Sequence, residues 1–176
     1  MKEQRPLPKH YLWFAEEVNR SAGFLLQTTN GTLNTSALAV SIGLSLHAIE
    51  LTGKAMLRSL GHLSKEIRKT HKEHKLLDLL ADIERKISIH PDPGVREFSG
   101  FLLHAPTIDG QEFGSTIAGY LKKHFSQGKI AYSRNYLYPD NERFTSPRPI
   151  SGIHVMADHL IEKAWDFAAV LGYETS

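Results

Sequence analysis

The chain has 176 residues, a length one hydrophobic core can serve, so a single domain over 1–176 is expected, with a short flexible stretch at about residues 1–7. Hydrophobic residues at 41% and charged residues at 23% describe an ordinary soluble protein, and a formal charge of +2 is too small to indicate nucleic acid unless it is concentrated. The absence of cysteine excludes disulfide frameworks, thiolate metal sites and cysteine nucleophiles; no apolar run reaches the roughly 18 residues of a membrane span and the start lacks a signal-peptide core, so a cytoplasmic, non-membrane protein is expected.

Helical periodicity recurs along the chain and strand alternation does not. From about Pro8 to Thr28, Leu12, Ala15, Val18, Ala22, Leu25 and Leu26 recur at three and four residues while Glu16, Glu17 and Arg20 fall off the stripe, which predicts an amphipathic helix ending at Asn30-Gly31. A second helix is predicted after the capping candidates Asn34, Thr35 and Ser36, running to Leu60 before Gly61. Apolar residues surround it: Leu38, Ile42, Leu46, Ile49 and Met56 on one broad face, Val40, Leu44, Leu51 and Leu57 on others. A helix of this kind is central and contacted from several sides.

A third helix is predicted from about Lys65 to Ile87, charged in its first half and rich in leucine in its second. The prolines of Ser88-Ile89-His90-Pro91-Asp92-Pro93-Gly94 exclude regular helix there. Val95 to Asp109 fits either a short helix or a packed loop. Glu112 to about Tyr132 predicts a fourth helix through Phe113, Ile117, Tyr120, Leu121 and Phe125. After the aromatic and proline-rich stretch from Tyr132 to Pro149, a last helix is predicted from about Ser151 to Leu171, stopping at Gly172. The sum is an all-α antiparallel bundle of about five helices.

The second helix carries His47-Ala48, then Glu50, then Lys54-Ala55; the third opens with Thr70-His71 and continues to Leu76-Leu77 and Leu79-Leu80. This pattern resembles HEPN domains, whose helix reads Gln-Ala, Glu and Lys-Ala before a Thr-His-x-Leu-x-x-Leu-Leu start, and it covers about half of the chain. The resemblance implies an all-α bundle, a homodimer, no cofactor, an RNA or nucleotide phosphate as ligand, and a nucleotidyltransferase or antitoxin partner in a toxin-antitoxin or defence setting. Active members use an Arg and a His four to six residues downstream, His to move the ribose 2′-hydroxyl proton and Arg to stabilise the phosphate.

Three segments carry that spacing or its opening. Arg134-Asn135 has the opening but Tyr138, Pro139 or Asp140 where His is needed. Arg148 and His154 have five intervening residues and the expected place at the last helix, with Pro149 in place of the polar residue. Arg68 and His74 have the spacing but lie in the third helix. Arg148 and His154 are therefore the candidate catalytic pair. Arg134 and Asn135 either contact phosphate or only organise a turn before Pro139.

Lys65, Arg68, Lys72 and Lys75 share one face if the third helix is continuous, a stripe suited either to solvent or to successive phosphates. Glu50 and Lys54 stand in the order that favours a helical ion pair, with His47 one turn earlier, as a structural or ligand network. His71-x-x-His74 and the His154, His159 spacing lack a third ligand, so no metal is expected. Two function classes stay open: a non-catalytic module that binds RNA, a nucleotide phosphate or a partner protein, and a metal-independent endoribonuclease of a toxin or defence system.

Overall fold

Helix α2 (Thr35–Ser59) is the axis of the structure, a computed structural model that describes residues 7–28, 35–71, 76–101, 107–108, 111–112, 116–125 and 148–173. Ile42, Leu46, Ala48, Ile49, Ala55, Met56 and Leu57 of this helix are all buried, as are the polar Ser41, Ser45, Thr52 and Ser59. The Thr52 and Ser59 hydroxyls are tolerated there because they bond to carbonyls of the preceding turn: Thr52 Oγ1 donates to Ala48 O at 2.8 Å and Ser59 Oγ to Ala55 O at 3.1 Å. Ser41 Oγ reaches across to Ala22 O at 2.9 Å and ties α2 to α1 (Pro8–Thr28).

The central helix ends as its sequence predicts. Gly61 takes a φ of +87°, its N–H donates to Arg58 O and the next N–H, of His62, reaches back to Leu57 O. These two bonds form a Schellman motif with glycine in the left-handed position. The same device closes the last helix, α7 (Arg148–Val170), where Gly172 has a φ of +78° and Tyr173 N–H donates to Ala168 O.

The fold is all-α, and its helices depart from the predicted ones where polar residues supply local caps. The expected third helix is two: α3 (Ser64–Thr70) and α4 (Leu76–Ser88). His71 leaves helical geometry at φ −115° and ψ 48°, and its ring lies 3.4 Å from Asp82 of α4. The single helix expected to carry Lys65, Arg68, Lys72 and Lys75 is interrupted at His71; Arg68 is exposed on α3, and Lys72 and Lys75 lie outside the described residues. Within the proline-rich segment, Pro93–Arg96 does form one helical turn, α5, because Pro93 sits at a first-turn position that needs no donor and Asp92 caps Gly94 N at 2.8 Å.

The helix expected from Glu112 begins five residues later as α6 (Ile117–Phe125), with Thr116 Oγ1 accepting from Gly119 N at 2.9 Å. Glu112 belongs instead to a two-residue antiparallel ladder, β1 (Thr107–Ile108) with β2 (Gln111–Glu112), Thr107 facing Glu112 and Ile108 facing Gln111. The last helix starts at Arg148, three residues before the expected Ser151, since Pro149 falls in its first turn where a missing N–H breaks no bond.

Contacts of α1 with its two neighbours fix the frame. Ala22 meets Ser41 and Phe14 meets His47, so α2 runs antiparallel to α1. Glu16 meets Trp165 and Gly23 meets His154, so α7 is also antiparallel to α1. Helices α4, α5 and α6 close the remaining sides, and their Leu79, Leu80, Ile83, Val95 and Leu121 join Phe167 of α7 in one core. No described helix is long and apolar enough to cross a membrane.

Candidate functional site

Helices α1 and α7 present matching sets of positions to each other: Glu16, Arg20, Gly23, Phe24 and Gln27 from one, His154, Asp158, Ile161, Glu162 and Trp165 from the other. Each set follows the spacing of four, three, one and three residues, which gathers side chains on one helical face. Between them lies an open groove of about 600 Å³.

Gly23 sets how closely the helices approach. A Cβ at this position would come within 2.8 Å of both Cε1 and Nε2 of His154, so the imidazole lies directly against the α1 backbone. Asn19, fully buried one turn earlier, fastens α7 from below: its Nδ2 donates to the His154 carbonyl at 3.0 Å and to Asp158 Oδ1 at 2.7 Å. Asp158 Oδ2 is in turn 3.5 Å from His154 Nε2. At the far end, Trp165 Nε1 donates to Glu16 Oε1 at 2.5 Å.

The groove is rimmed by aromatic surface. Phe24 is 66% exposed and Trp13 41% exposed, and the Trp13 and Trp165 rings are tilted against each other at 6.5 Å. Lys9 already places its ammonium 5.3 Å from the Trp13 ring centroid, a cation over the negative face of the indole. Among the described residues, three carboxylates line the groove, those of Glu16, Asp158 and Glu162, with one arginine, Arg20, which is engaged by Glu17 at 2.5 Å. On a chain of net charge +2, this face is negative.

Of the candidate catalytic pair, His154 is in the groove and Arg148 is the first residue of the same helix. Six residues of continuous helix separate their backbones by about 9 Å along the axis and about 120° around it. Arg134 and Asn135 lie outside the described residues. The network expected in α2 is assembled: Glu50 is 1% exposed, Lys54 Nζ donates to its Oε1, and His47 Nδ1 is 3.8 Å from its Oε2. It faces Phe14 on the α1 and α2 side, through the edge-on contact of that ring with His47, and not the groove.

Asn19, Gly23, Asp158 and Trp165 were not singled out by sequence reasoning. Two left a signal: Gly23 interrupts a helical pattern without ending it, and Asn19 falls on the inward arc between Val18 and Ala22. No group of three or more His, Asp or Glu side chains gathers as metal ligands among the described residues. Compared with known proteins, the chain matches no family model, no curated protein and no solved structure.

Proposed function

We propose that this chain is a helical binding module of HEPN type that recognises a partner protein, without catalysis, through the groove between α1 and α7. The observation that carries the reading is the groove itself: a pre-formed cleft lined by the exposed Phe24 and the half-buried Trp165, with the exposed Trp13 packed against the latter. Aromatic side chains of this kind are the usual anchors of protein interfaces, since they bury large areas at low entropy cost. A phosphate ligand fits less well, because Glu16, Asp158 and Glu162 would each repel it. Of the ligand classes that the HEPN resemblance implies, a polypeptide suits this chemistry best, and the nucleotidyltransferase or antitoxin partner of that family is the form it would take.

The test uses the protein encoded beside this chain and RNA in parallel. Co-purification with the neighbouring product, lost on Phe24→Asp and kept on Arg68→Ala, is the expected result. Incubation with single-stranded and structured RNA in the absence of divalent metal is expected to give no cleavage. Cleavage abolished by His154→Ala would replace the binding module with a metal-independent endoribonuclease.

A further inference from the structure

We infer that the α1 and α7 groove takes a cationic segment of its partner, a stretch of chain bearing Lys or Arg side chains alternating with apolar ones; this rests on the protein-binding reading above and specifies its chemistry. Charge complementarity is the argument. Glu16 and Trp165 sit at one end of the groove, His154 and Gly23 at the other, and Asp158 and Glu162 lie along the wall between. Asp158 is held in place from below by Asn19, and Glu16 by the Trp165 indole, so two of the three carboxylates are positioned before any ligand arrives. Glu162 is exposed and free to follow an incoming ammonium or guanidinium.

The aromatic rim serves the same cations. Phe24 and Trp165 stand on opposite walls, and Trp13, packed against Trp165, already holds the Lys9 ammonium 5.3 Å from its ring centroid. Aliphatic stems of Lys or Arg would lie along Phe24 and Ile161 while their heads reach the carboxylates. A second copy of this chain suits the groove less well than a cationic segment, because the carboxylates of Glu16, Asp158 and Glu162 outnumber Arg20 on each such face. An acidic segment is disfavoured on the same ground.

The experiment uses the full chain carrying Trp13→Phe, so that the remaining tryptophan, Trp165, reports from the groove. Three synthetic amphipathic peptides share one set of leucines and differ in their polar positions: lysine, glutamine or glutamate. The lysine peptide is expected to shift the emission of Trp165, to bind at least about tenfold more weakly when Glu16→Gln and Glu162→Gln are combined, and to weaken with added salt. Glutamine can still accept from the Trp165 indole, and far-UV circular dichroism confirms that the variants are folded.

Equal binding of the lysine and glutamine peptides, with both lost on Phe24→Ala, would overturn the cationic class and leave the groove as a protein site. If no peptide binds in a way that depends on Phe24, both readings fall. Self-association of the chain that disappears on Phe24→Ala would also overturn the proposal in favour of a homodimer through this face.

Discussion

Gly53→Ala isolates how the central helix is packed. In an exposed helix the change would stabilise by about 1 kcal/mol, because alanine loses less backbone entropy than glycine. Gly53 is buried, however, and an added Cβ would stand 2.8 Å from Leu79 Cδ2, 3.1 Å from Leu79 Cγ and 3.2 Å from Ile83 Cδ1. Leu79 is 2% exposed and Ile83 is fully buried, so neither can swing into solvent to make room. Overpacking of this kind costs about 1 to 3 kcal/mol. The expected net effect is a loss of about 1 kcal/mol, read from urea unfolding followed by circular dichroism. Leu79→Ala alone should cost about 2 to 5 kcal/mol through the cavity it leaves. Combined with Gly53→Ala it should cost less than the two single losses together, because the new methyl occupies part of that cavity and no longer clashes. Were Gly53→Ala to stabilise by about 1 kcal/mol whichever residue stands at 79, α4 could not be packed against this glycine as described.

The buried ion pair of α2 gives a second prediction: Lys54→Met removes the cationic partner of a carboxylate that is 1% exposed and should cost about 3 kcal/mol, whereas Glu50→Leu with Lys54→Met should recover most of it, both measured by chemical denaturation. Acid sensitivity gives the third. Burial holds the His159 imidazole below its ordinary 6.5, with Lys163 acting in the same direction and Glu162 opposing; burial and Lys86 do the same to His62 against Asp82 and Glu66. Above pH 6.5 these groups are neutral in both states and cost nothing; below it the unfolded chain takes up protons that the folded chain resists, so stability falls. His159→Gln should flatten that decline when unfolding midpoints at about pH 7.5 and about pH 5.5 are compared. Asp82 acts further down the scale: burial pushes its carboxyl up, but the Arg85 hydrogen bond, the Lys86 charge and the His71 contact outweigh it and leave it below 3.8. Its contribution is present above that value and lost as the pH falls through the folded one, so Asp82→Asn should remove stability at neutral pH and leave the most acidic midpoints unchanged.

Elements with a long, one-sided pattern were legible in the sequence, and those set by a single polar contact were not. The first helix shows its inward stripe over Leu12, Ala15, Val18 and Ala22, and the central helix its apolar character on every side, with Gly61 marking its end. By contrast, Lys65 to Ile87 reads as one helix because nothing in the periodicity marks a break at His71, whose ring turns to Asp82 eleven residues away. The ladder between Thr107 and Glu112 is too short for alternation to register, although the Asp109-Gly110 dipeptide between its strands is a strong signal for a two-residue hairpin. Glu50 with Lys54 could be paired from spacing alone, since both lie on one helix one turn apart. The groove could not, because Glu16 and Trp165 are far apart in sequence and only the antiparallel docking of α1 on α7 brings them together.

That docking explains why the groove and the core can be altered separately at some positions and not at others. Phe24 and Glu162 project from the rim and are exposed, so their replacement changes what the groove can hold without removing buried apolar surface. Asn19 and Gly23 lie beneath it: one is fully buried with both its hydrogen bonds to α7, the other sets the distance at which the His154 ring meets α1. A side chain added at Gly23 must displace the His154 ring or the helix that carries it, and replacement of Asn19 removes the bonds that hold the His154 carbonyl and Asp158. The recognition chemistry proposed for the groove therefore resides in side chains that contribute little to stability, while the groove's geometry depends on two residues that the packing of α1 against α7 requires.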